Sequence, residues 1–532
     1  MYFTMEIIHF PAMRKLIPGL LLCAVSALFA GCLIGPRYKV PSATADMQPL
    51  PAGYKENPDR FKGGAGWKVA QPSDAMLRGD WWKIFHDPEL NALEDSLNIN
   101  NQNIKEYFQN FMEARALVGE VNAQLYPTIT ANASYLRSQS ATGSAGSTGA
   151  VTSGVGSGVG TAVGLAKSAS PVTSIMTALN LSWEPDLWGR VRNELRASQY
   201  TAQVSAADLE NERLTEQSSL AVYFFELRGQ DALEKLYEDT VEADKKSLAY
   251  TQAQYDTGII DKIAVVEATN TLQNAEAAAT NLGVLRAQYE HAIAVLVGTV
   301  PSFFSMPPKV LTANPPPIPV GLPSQLIERR PDVAATERAM AAVNAQIGMA
   351  EAAYFPTVTL STDSGFQSDA VSKLFDSNNH TWSIGPSVSE TIFDAGLRAA
   401  TVHQYTATYN SDLAAYRQTV LTAFQQVEDY LAQVRILSNQ LLQQRGAVQS
   451  AEEYVKLETD RYKLGIDPYV DVVTAQTTLL SDQQTAIDVQ IQEMTGAVQL
   501  VEALGGGWDR SQLPSAHDVS KWPSRSESAI QQ

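Results

Sequence analysis

The feature that most constrains this chain is a pair of very long stretches almost without proline. No proline occurs from Asp186 to Val300, a span of 115 residues, and Pro468 alone interrupts residues 387–513. Nine prolines fall within residues 301–331. Proline breaks helices, and proline-rich chain is extended. The distribution therefore predicts a first repeat at 80–300, a proline-rich connector at 301–321 and a second repeat at 322–508.

Within these stretches, apolar residues recur every seven positions. The row in the second repeat consists of Val420, Val427, Val434, Leu441, Val448, Val455 and Tyr462, then Val473, Leu480, Ile487, Met494 and Val501. Such a row makes helices wind around neighbours with a left-handed sense. Helices of about 60 residues would be about 90 Å long. The predicted long helices are residues 188–256, 262–298, 396–464 and 468–504.

Both repeats are interrupted at the same place by nearly the same residues. Between Tyr255 and Leu272, eight of eighteen positions are identical to their counterparts 207 residues later. A glycine after a helix, and a proline at the start of the next helix, are typical of a tight reversal. We expect two hairpin turns, formed by Gly258 and Ile259 in the first repeat and by Gly465, Ile466, Asp467 and Pro468 in the second.

Each repeat also contains two segments that alternate small or polar residues with apolar ones. They lie at about 127–140, 171–184, 356–368 and 381–393. Segments of about ten residues suit tilted strands that cross a bilayer. Four strands cannot close a barrel, and lipid does not tolerate an open sheet edge. Membrane strands here would require several copies of the chain, in a number that the strands do not fix.

The N-terminus has the layout of a bacterial export signal, residues 1–31, which begins at Met1, Met5 or Met13. The signal ends in small residues before Cys32, as in a lipoprotein whose cysteine carries a diacylglycerol on sulfur and a palmitoyl group on nitrogen. An ordinary cleavage site beside a chance cysteine is the alternative. Cys23 would be removed with the signal, so Cys32 would be the only cysteine of the mature chain. Leu33, instead of aspartate, favours the outer membrane.

Composition argues against several functions. A formal net charge of −18 opposes binding to nucleic acid. Six histidines are scattered without zinc-type spacing, and the sequence contains no phosphate-binding loop, nucleophile elbow or cysteine pair. We therefore expect neither an enzyme nor a metal site, and no cofactor besides the lipid on Cys32. A lipid-anchored structural or adhesive stalk of coiled coils is the alternative to a channel.

Five motifs in order resemble the TolC-like outer membrane factor family, of the OprM/NodT lipoprotein type. They are GPRYKVP (35–41) in an extended segment 32–79, DWWKIFHDPEL (80–90), LPSQLIERRPDVAATE (322–337), RYKLGID with VVTAQ (461–476), and LGGGW (504–508) before a tail at 509–532. The resemblance implies a mixed α and β fold in which each chain is an internal duplication. It further implies a homotrimer, with a 12-stranded transmembrane barrel continuous with a 12-helix periplasmic barrel.

The resemblance also implies a function and partners. The chain would be the exit duct of a tripartite efflux or secretion system, which receives cargo from an inner-membrane pump, of the RND type, through a periplasmic adaptor. Drugs, solvents, metal ions and secreted protein remain open as cargo. The turns would contact the adaptor.

The same resemblance assigns gate residues to the second turn. Tyr462 would form a latch, and Val470 would occupy an apolar ring. The acidic and cationic positions of the family's gate fall on Thr474 and Thr477, so the charged pair is missing here. Asp471, or Glu267 in the first repeat, would replace it.

Overall fold

The computed structural model describes residues 33–43, 53–56, 79–139, 171–311, 315–316, 318 and 323–521. The predicted signal peptide, Cys32 and the Gly/Ser-rich sequence at 140–164 lie outside these residues. The helices are α1 (Pro88–Asn100), α2 (Gln102–Ala123), α3 (Arg190–Asp256), α4 (Lys262–Leu296), α5 (Pro323–Arg329), α6 (Pro331–Ala352), α7 (Leu397–Lys463), α8 (Tyr469–Ala503) and α9 (Ala516–Ser520). Among the described residues, no helix is both long and apolar enough to cross a bilayer.

Four strands form one antiparallel sheet in the order β1 (Thr128–Ser138), β2 (Val172–Trp183), β3 (Thr357–Ser368), β4 (His380–Ser389). The central β2–β3 pair joins the two halves of the sequence, with Ile175 opposite Ser368 and Trp183 opposite Leu360. Among the described strands, β1 and β4 each lack a partner on their outer side.

Strand β4 ends at Ser389, four residues before the expected end near 393. The guanidinium of Arg398, in the first turn of α7, donates to the carbonyl of Thr391 at 2.7 Å and to the carboxylate of Asp394 at 2.6 Å. Ala395 lies in the left-handed region with φ of 52°. These contacts turn the chain out of the sheet and into the helix.

The register gives the sheet two chemically different faces. Residues directly opposite each other on paired strands point to the same side. The pairs Tyr135–Ile175, Trp183–Leu360 and Val358–Val388 therefore share one face with Ile384. That face is chiefly apolar, with Ile129, Ala131, Ala133, Tyr135, Ile175, Leu179, Leu181, Trp183, Val358, Leu360, Phe366, Trp382, Ile384, Pro386 and Val388. Its polar members include Arg137, Thr177, Thr362, Ser364, Ser368 and His380. The opposite face is chiefly polar or small, with Thr128, Thr130, Asn132, Ser134, Ser174, Asn180, Ser182, Thr359, Ser361, Asp363, Gln367, Thr381, Ser383 and Ser387. Its larger apolar members are Leu136, Val172 and Met176.

The described residues divide into two units. Gly119–Arg196 and Ala345–Tyr405, with the described residues up to Arg37, form the strand unit. The remaining described residues, within Tyr38–Val118, Ala197–Asn344 and from Thr406 onward, form the helix unit. These units do not coincide with the two expected sequence repeats, because strands from both halves of the chain belong to one sheet.

The main core of the helix unit lies around the 3₁₀ turn Trp81–Phe85. Trp81 and Trp82 are 0% and 2% exposed and pack with Phe224 and Phe225 of α3 and with Val498 of α8. The heptad row of α7 contributes a second core, in which Val420, Val427 and Leu431 pack with Met340 of α6. Burying each such side chain contributes about 1.5–3 kcal/mol.

Candidate functional site

The two predicted hairpin turns have the same backbone geometry. Gly258 and Gly465 both have φ of +73°. Ile466 N–H donates to the carbonyl of Arg461 at 3.0 Å, and Gly465 N–H donates to that of Tyr462 at 2.9 Å. This pair of bonds is a Schellman motif, which ends a helix on a left-handed residue. The first turn repeats both bonds, from Ile259 to Gln254 and from Gly258 to Tyr255, at 2.9 Å each.

The turns differ in how the following helix begins. Asp261 caps α4, and its carboxylate accepts from the backbone N–H groups of Ile263 and Ala264 at 3.0 and 3.4 Å. In the second turn Pro468 is the N-cap, and α8 begins at Tyr469, one residue later than expected. The carboxylate of Asp467 instead accepts from the guanidinium of Arg461, with Oδ1 at 3.0 Å from Nη2.

Asp467 belongs to an acidic cluster with Glu458 and Asp471, and one carboxylate oxygen of each lies within 4.8 Å of the others. Arg461 holds the pKa of Asp467 below its ordinary value. Partial burial, followed by the charge of Asp467, raises the pKa of Glu458. Oxygens at this spacing could hold a cation, but exposed acidic groups often adopt it without one, and Arg461 already supplies positive charge.

Two tyrosines of the second hairpin reach the first hairpin. The hydroxyl of Tyr462 donates to Oε1 of Gln254 at 2.5 Å. The hydroxyls of Tyr469 and Ser247 are 2.8 Å apart. The Tyr462 and Tyr469 rings lie 5.3 Å apart and pack in a small cluster with Ala268. These contacts join α3 to the α7–α8 turn within one chain.

A buried carboxylate lies near this junction. Asp244 on α3 is 5% exposed, and its Oδ2 has no hydrogen-bond partner. Burial raises the pKa of Asp244 to about 6. Burial, and more weakly the charge of Asp244, also raises the pKa of Tyr469.

The other predicted gate residues are more accessible. The side chain of Val470 is 46% exposed. Thr474 and Thr477 are exposed, and each hydroxyl donates at 2.8 Å to a carbonyl of its own helix, that of Val470 or Val473. Asp471 and Glu267 are half-buried. Asp471 lies with Glu458 and Asp467 on its own hairpin, whereas Glu267 lies on α4 beside Ala268.

Sequence reasoning did not identify Gln254, Ser247, Asp244 or Glu458 as members of this region. Of these four residues, only Glu458 could have been identified from the sequence, because it lies three residues before Arg461 and therefore on the same helix face. The partners of Tyr462 and Tyr469 depend on how the two hairpins pack, which local patterns do not encode.

A cluster of hydrogen bonds and ion pairs in the helix unit links sequence motifs that are far apart in the chain. The carboxylate of Glu337, 2% exposed, accepts from the hydroxyl of Tyr38 at 2.5 Å and from the guanidinium of Arg510 at 3.0 Å. Arg330 donates to Asp332 at 2.6 and 3.0 Å and to Gln426 at 2.7 Å. The charged run around Arg330 therefore secures α6 and both terminal segments in the helix unit.

Comparison with known proteins agrees with this architecture. The sequence model of the family described as "Outer membrane efflux protein" matches residues 93–299 and 322–506. The probable efflux pump outer membrane protein TtgC of Pseudomonas putida is 30% identical over 495 residues, which cover 92% of this chain and 96% of that protein. Outer membrane protein OprJ of Pseudomonas aeruginosa is 29% identical over 517 residues, which cover 95% and 99%.

A solved structure of the outer-membrane channel OprN has the same fold, with a TM-score of 0.77 at 27% identity, and the match covers 90% of this chain and 100% of that one. The family match includes both helical halves and both turns, and the relatives align over nearly the whole chain. This chain belongs to the outer membrane efflux protein family.

Proposed function

We propose that this outer-membrane protein forms, as a homotrimer, the exit duct of a tripartite efflux system. The observation that carries the proposal is the sheet, whose edge strands β1 and β4 are unpartnered among the described strands and whose two faces are apolar and polar. A bilayer requires every strand edge to be paired, with apolar side chains toward lipid. Three copies would supply twelve strands, closed by pairing β4 of one copy with β1 of the next.

The long helices support the same assembly. Five large apolar side chains of α7 are more than half exposed in the single chain: Leu397, Leu421, Ile436, Leu442 and Leu457, at 68%, 55%, 54%, 61% and 54%. Apolar residues exposed along a helix with a seven-residue repeat favour burial against neighbouring helices. In the proposed trimer, α3, α4, α7 and α8 of each copy would together supply twelve helices around the duct.

The proposed partners are a periplasmic adaptor and an inner-membrane pump of the RND type. The relatives TtgC and OprJ are outer-membrane proteins, and TtgC is named as an efflux pump component. The two turns, with Ile259 and Ile466 exposed at 70% and 60%, would contact the adaptor. The duct would be passive, with acyl chains on Cys32 as an additional membrane anchor and the second turn as the gate.

Reconstitution of the purified protein into planar bilayers tests the proposal. A trimer that forms a duct should give discrete conductance steps, and native mass spectrometry in detergent should give three times the mass of the mature chain. A monomer that remains electrically silent would instead favour a lipid-anchored stalk.

A further inference from the structure

Asp244 lies on the face of α3 that the second hairpin covers. Ser247, Leu248 and Thr251 follow it at three, four and seven residues, so the four side chains share one helix face. The hydroxyls of Ser247 and Tyr469, at the start of α8, are 2.8 Å apart, and Thr251 is 0% exposed. Leu248 packs against the cluster that contains Tyr469. The contact between α3 and α8 therefore keeps water from Asp244, which is 5% exposed.

The groups around Asp244 do not compensate its carboxylate for the loss of water. Among the described residues its Oδ2 has no hydrogen-bond partner, and burial raises its pKa from 3.8 to about 6. The titratable groups that neighbouring elements bring to this junction carry no positive charge: Glu267 of α4, Tyr462 of α7 and Tyr469 of α8. Three cations of the region are paired with other carboxylates: Lys245 with Glu276, Lys246 with Glu242, and Arg461 with Asp467. An ionised Asp244 is thus unfavourable in the packed state.

The second repeat shows that packing at this position does not require a carboxylate. The residue 207 positions after Asp244 is Ala451 of α7, which is likewise 5% exposed. A small apolar residue therefore fills the corresponding buried position. The first repeat instead carries a group whose charge depends on pH, at the place where the two hairpins meet.

We propose that Asp244 makes the contact between the two hairpins proton-sensitive, so that α8 stays packed on α3 while the carboxyl group is protonated and separates more readily once it ionises. The proposal rests on the gate assigned above to the second turn. Separation of α8 from α3 breaks the Tyr469–Ser247 contact and admits water to Asp244, which favours the ionised carboxylate. The protonated group is neutral and tolerates burial, so the hairpins remain together and the gate remains closed.

The direction and size of the effect follow from proton linkage. In the packed state the pKa of Asp244 is about 6, and in contact with water it returns toward 3.8. The separated state therefore binds fewer protons between these values and is favoured as pH rises. The ratio of separated to packed hairpins should increase about tenfold per chain from pH 5 to pH 8. Asp244→Asn, which keeps the shape of the protonated group, and Asp244→Ala, which copies Ala451, should lack this increase.

The reactivity of a buried thiol measures this packing without requiring a channel. Ala268, on α4 in the cluster with Tyr469, is 2% exposed. Ala268→Cys, introduced into each protein, should react with N-ethylmaleimide faster when α8 separates. Mass spectrometry of the labelled peptide distinguishes this thiol from Cys32. Asp239→Asn is the matched control, because it makes the same change on α3 at a side chain that is 60% exposed.

The ratio of labelling rates between the wild-type background and Asp244→Asn should rise about tenfold from pH 5 to pH 8, because the pH dependence of the thiol itself cancels. The ratio between the wild-type background and Asp239→Asn should stay constant. In planar bilayers the open probability should rise over the same range in the wild type and not in the Asp244 variants.

The two readouts separate the possible failures. A constant labelling ratio between the wild-type background and Asp244→Asn would overturn the proposal, whether or not the protein conducts. A rising ratio beside an open probability that does not depend on pH would show that this contact does not control the gate. A rising ratio in a protein that gives no conductance would support the proton-sensitive contact and refute the duct.

Discussion

Strand β4 allows the proposed membrane wall to be tested with two adjacent residues. Ile384 lies on the apolar face, is 64% exposed in the single chain and is the fifth of ten residues in β4. Ser383 precedes it and points to the polar face, where its hydroxyl bonds Asp363 at 3.1 Å. If the sheet is the wall of a barrel, Ile384 faces lipid near the midplane and Ser383 faces the lumen.

Arginine at a lipid-facing position near the midplane of a barrel costs about 2–4 kcal/mol. Three copies would bring the cost of Ile384→Arg to about 6–12 kcal/mol for a trimer, which is comparable to the whole stability of a domain. Ser383→Arg adds the same charge one residue away, where water and the Asp363 carboxylate can accommodate it. We expect Ile384→Arg to abolish the assembled form, and Ser383→Arg to retain it.

The assay is the fraction of membrane-extracted protein that runs as trimer on cold SDS gels and by native mass spectrometry. Both variants are compared at equal expression, with circular dichroism as a check that the helices are formed. Equal assembly of the two variants, or greater loss with Ser383→Arg, would refute the assignment of the faces.

Three further predictions concern the region around the turns. Tyr462→Phe removes the donor to Gln254, worth about 1 kcal/mol, and should raise the open probability of reconstituted channels about fivefold, whereas Tyr454→Phe, at an exposed position, should not. Asp471→Ala should change the single-channel conductance, and an unchanged value would show that Asp471 does not face the constriction. The folded-state pKa of Asp244, about 6, exceeds the unfolded value of about 3.9. The contribution of protonated Asp244 to stability is therefore complete below about pH 4 and is lost as pH rises through about 6. Asp244→Asn should therefore remove a decline of about 2–4 °C in Tm over this range. An equal decline in the variant would contradict the assignment of this pH dependence to Asp244.

Features that depend on neighbouring residues could be predicted from the sequence. The apolar period and the absence of proline place α3 and α7 within two residues of their observed ends. The glycine at each turn likewise predicts a residue in the left-handed region, and Gly258 and Gly465 both lie there. Pro468 shows the limit of this reasoning, because a proline fits either the N-cap or the first helical position. In the structure Pro468 is the N-cap.

Pairing between distant segments could not be predicted. Nothing local indicates that β2 pairs with β3, and this pairing places strands of both halves in one unit. The partners of Tyr462 and Glu337 are likewise more than 170 residues away in the chain. Motif resemblance identified the segments that carry these residues, but only the packed chain gives the hydrogen bonds that explain why they occur together.

The inequality of the two turns has a physical consequence for the proposed gate. Their backbones are alike, but the second has an additional ion pair between Arg461 and Asp467, which ties the end of α7 to the start of α8. The corresponding residues of the first turn, Gln254 and Ile260, cannot form one. The second turn should therefore be stiffer than the first. When it moves, the Tyr462–Gln254 and Tyr469–Ser247 hydrogen bonds should break before the backbone of the turn deforms. In the proposed gate, opening would then be controlled by the contacts between the hairpins. Substitutions of Tyr462 or Tyr469 should therefore affect opening more than substitutions of Leu464 or Ile466, which flank Gly465.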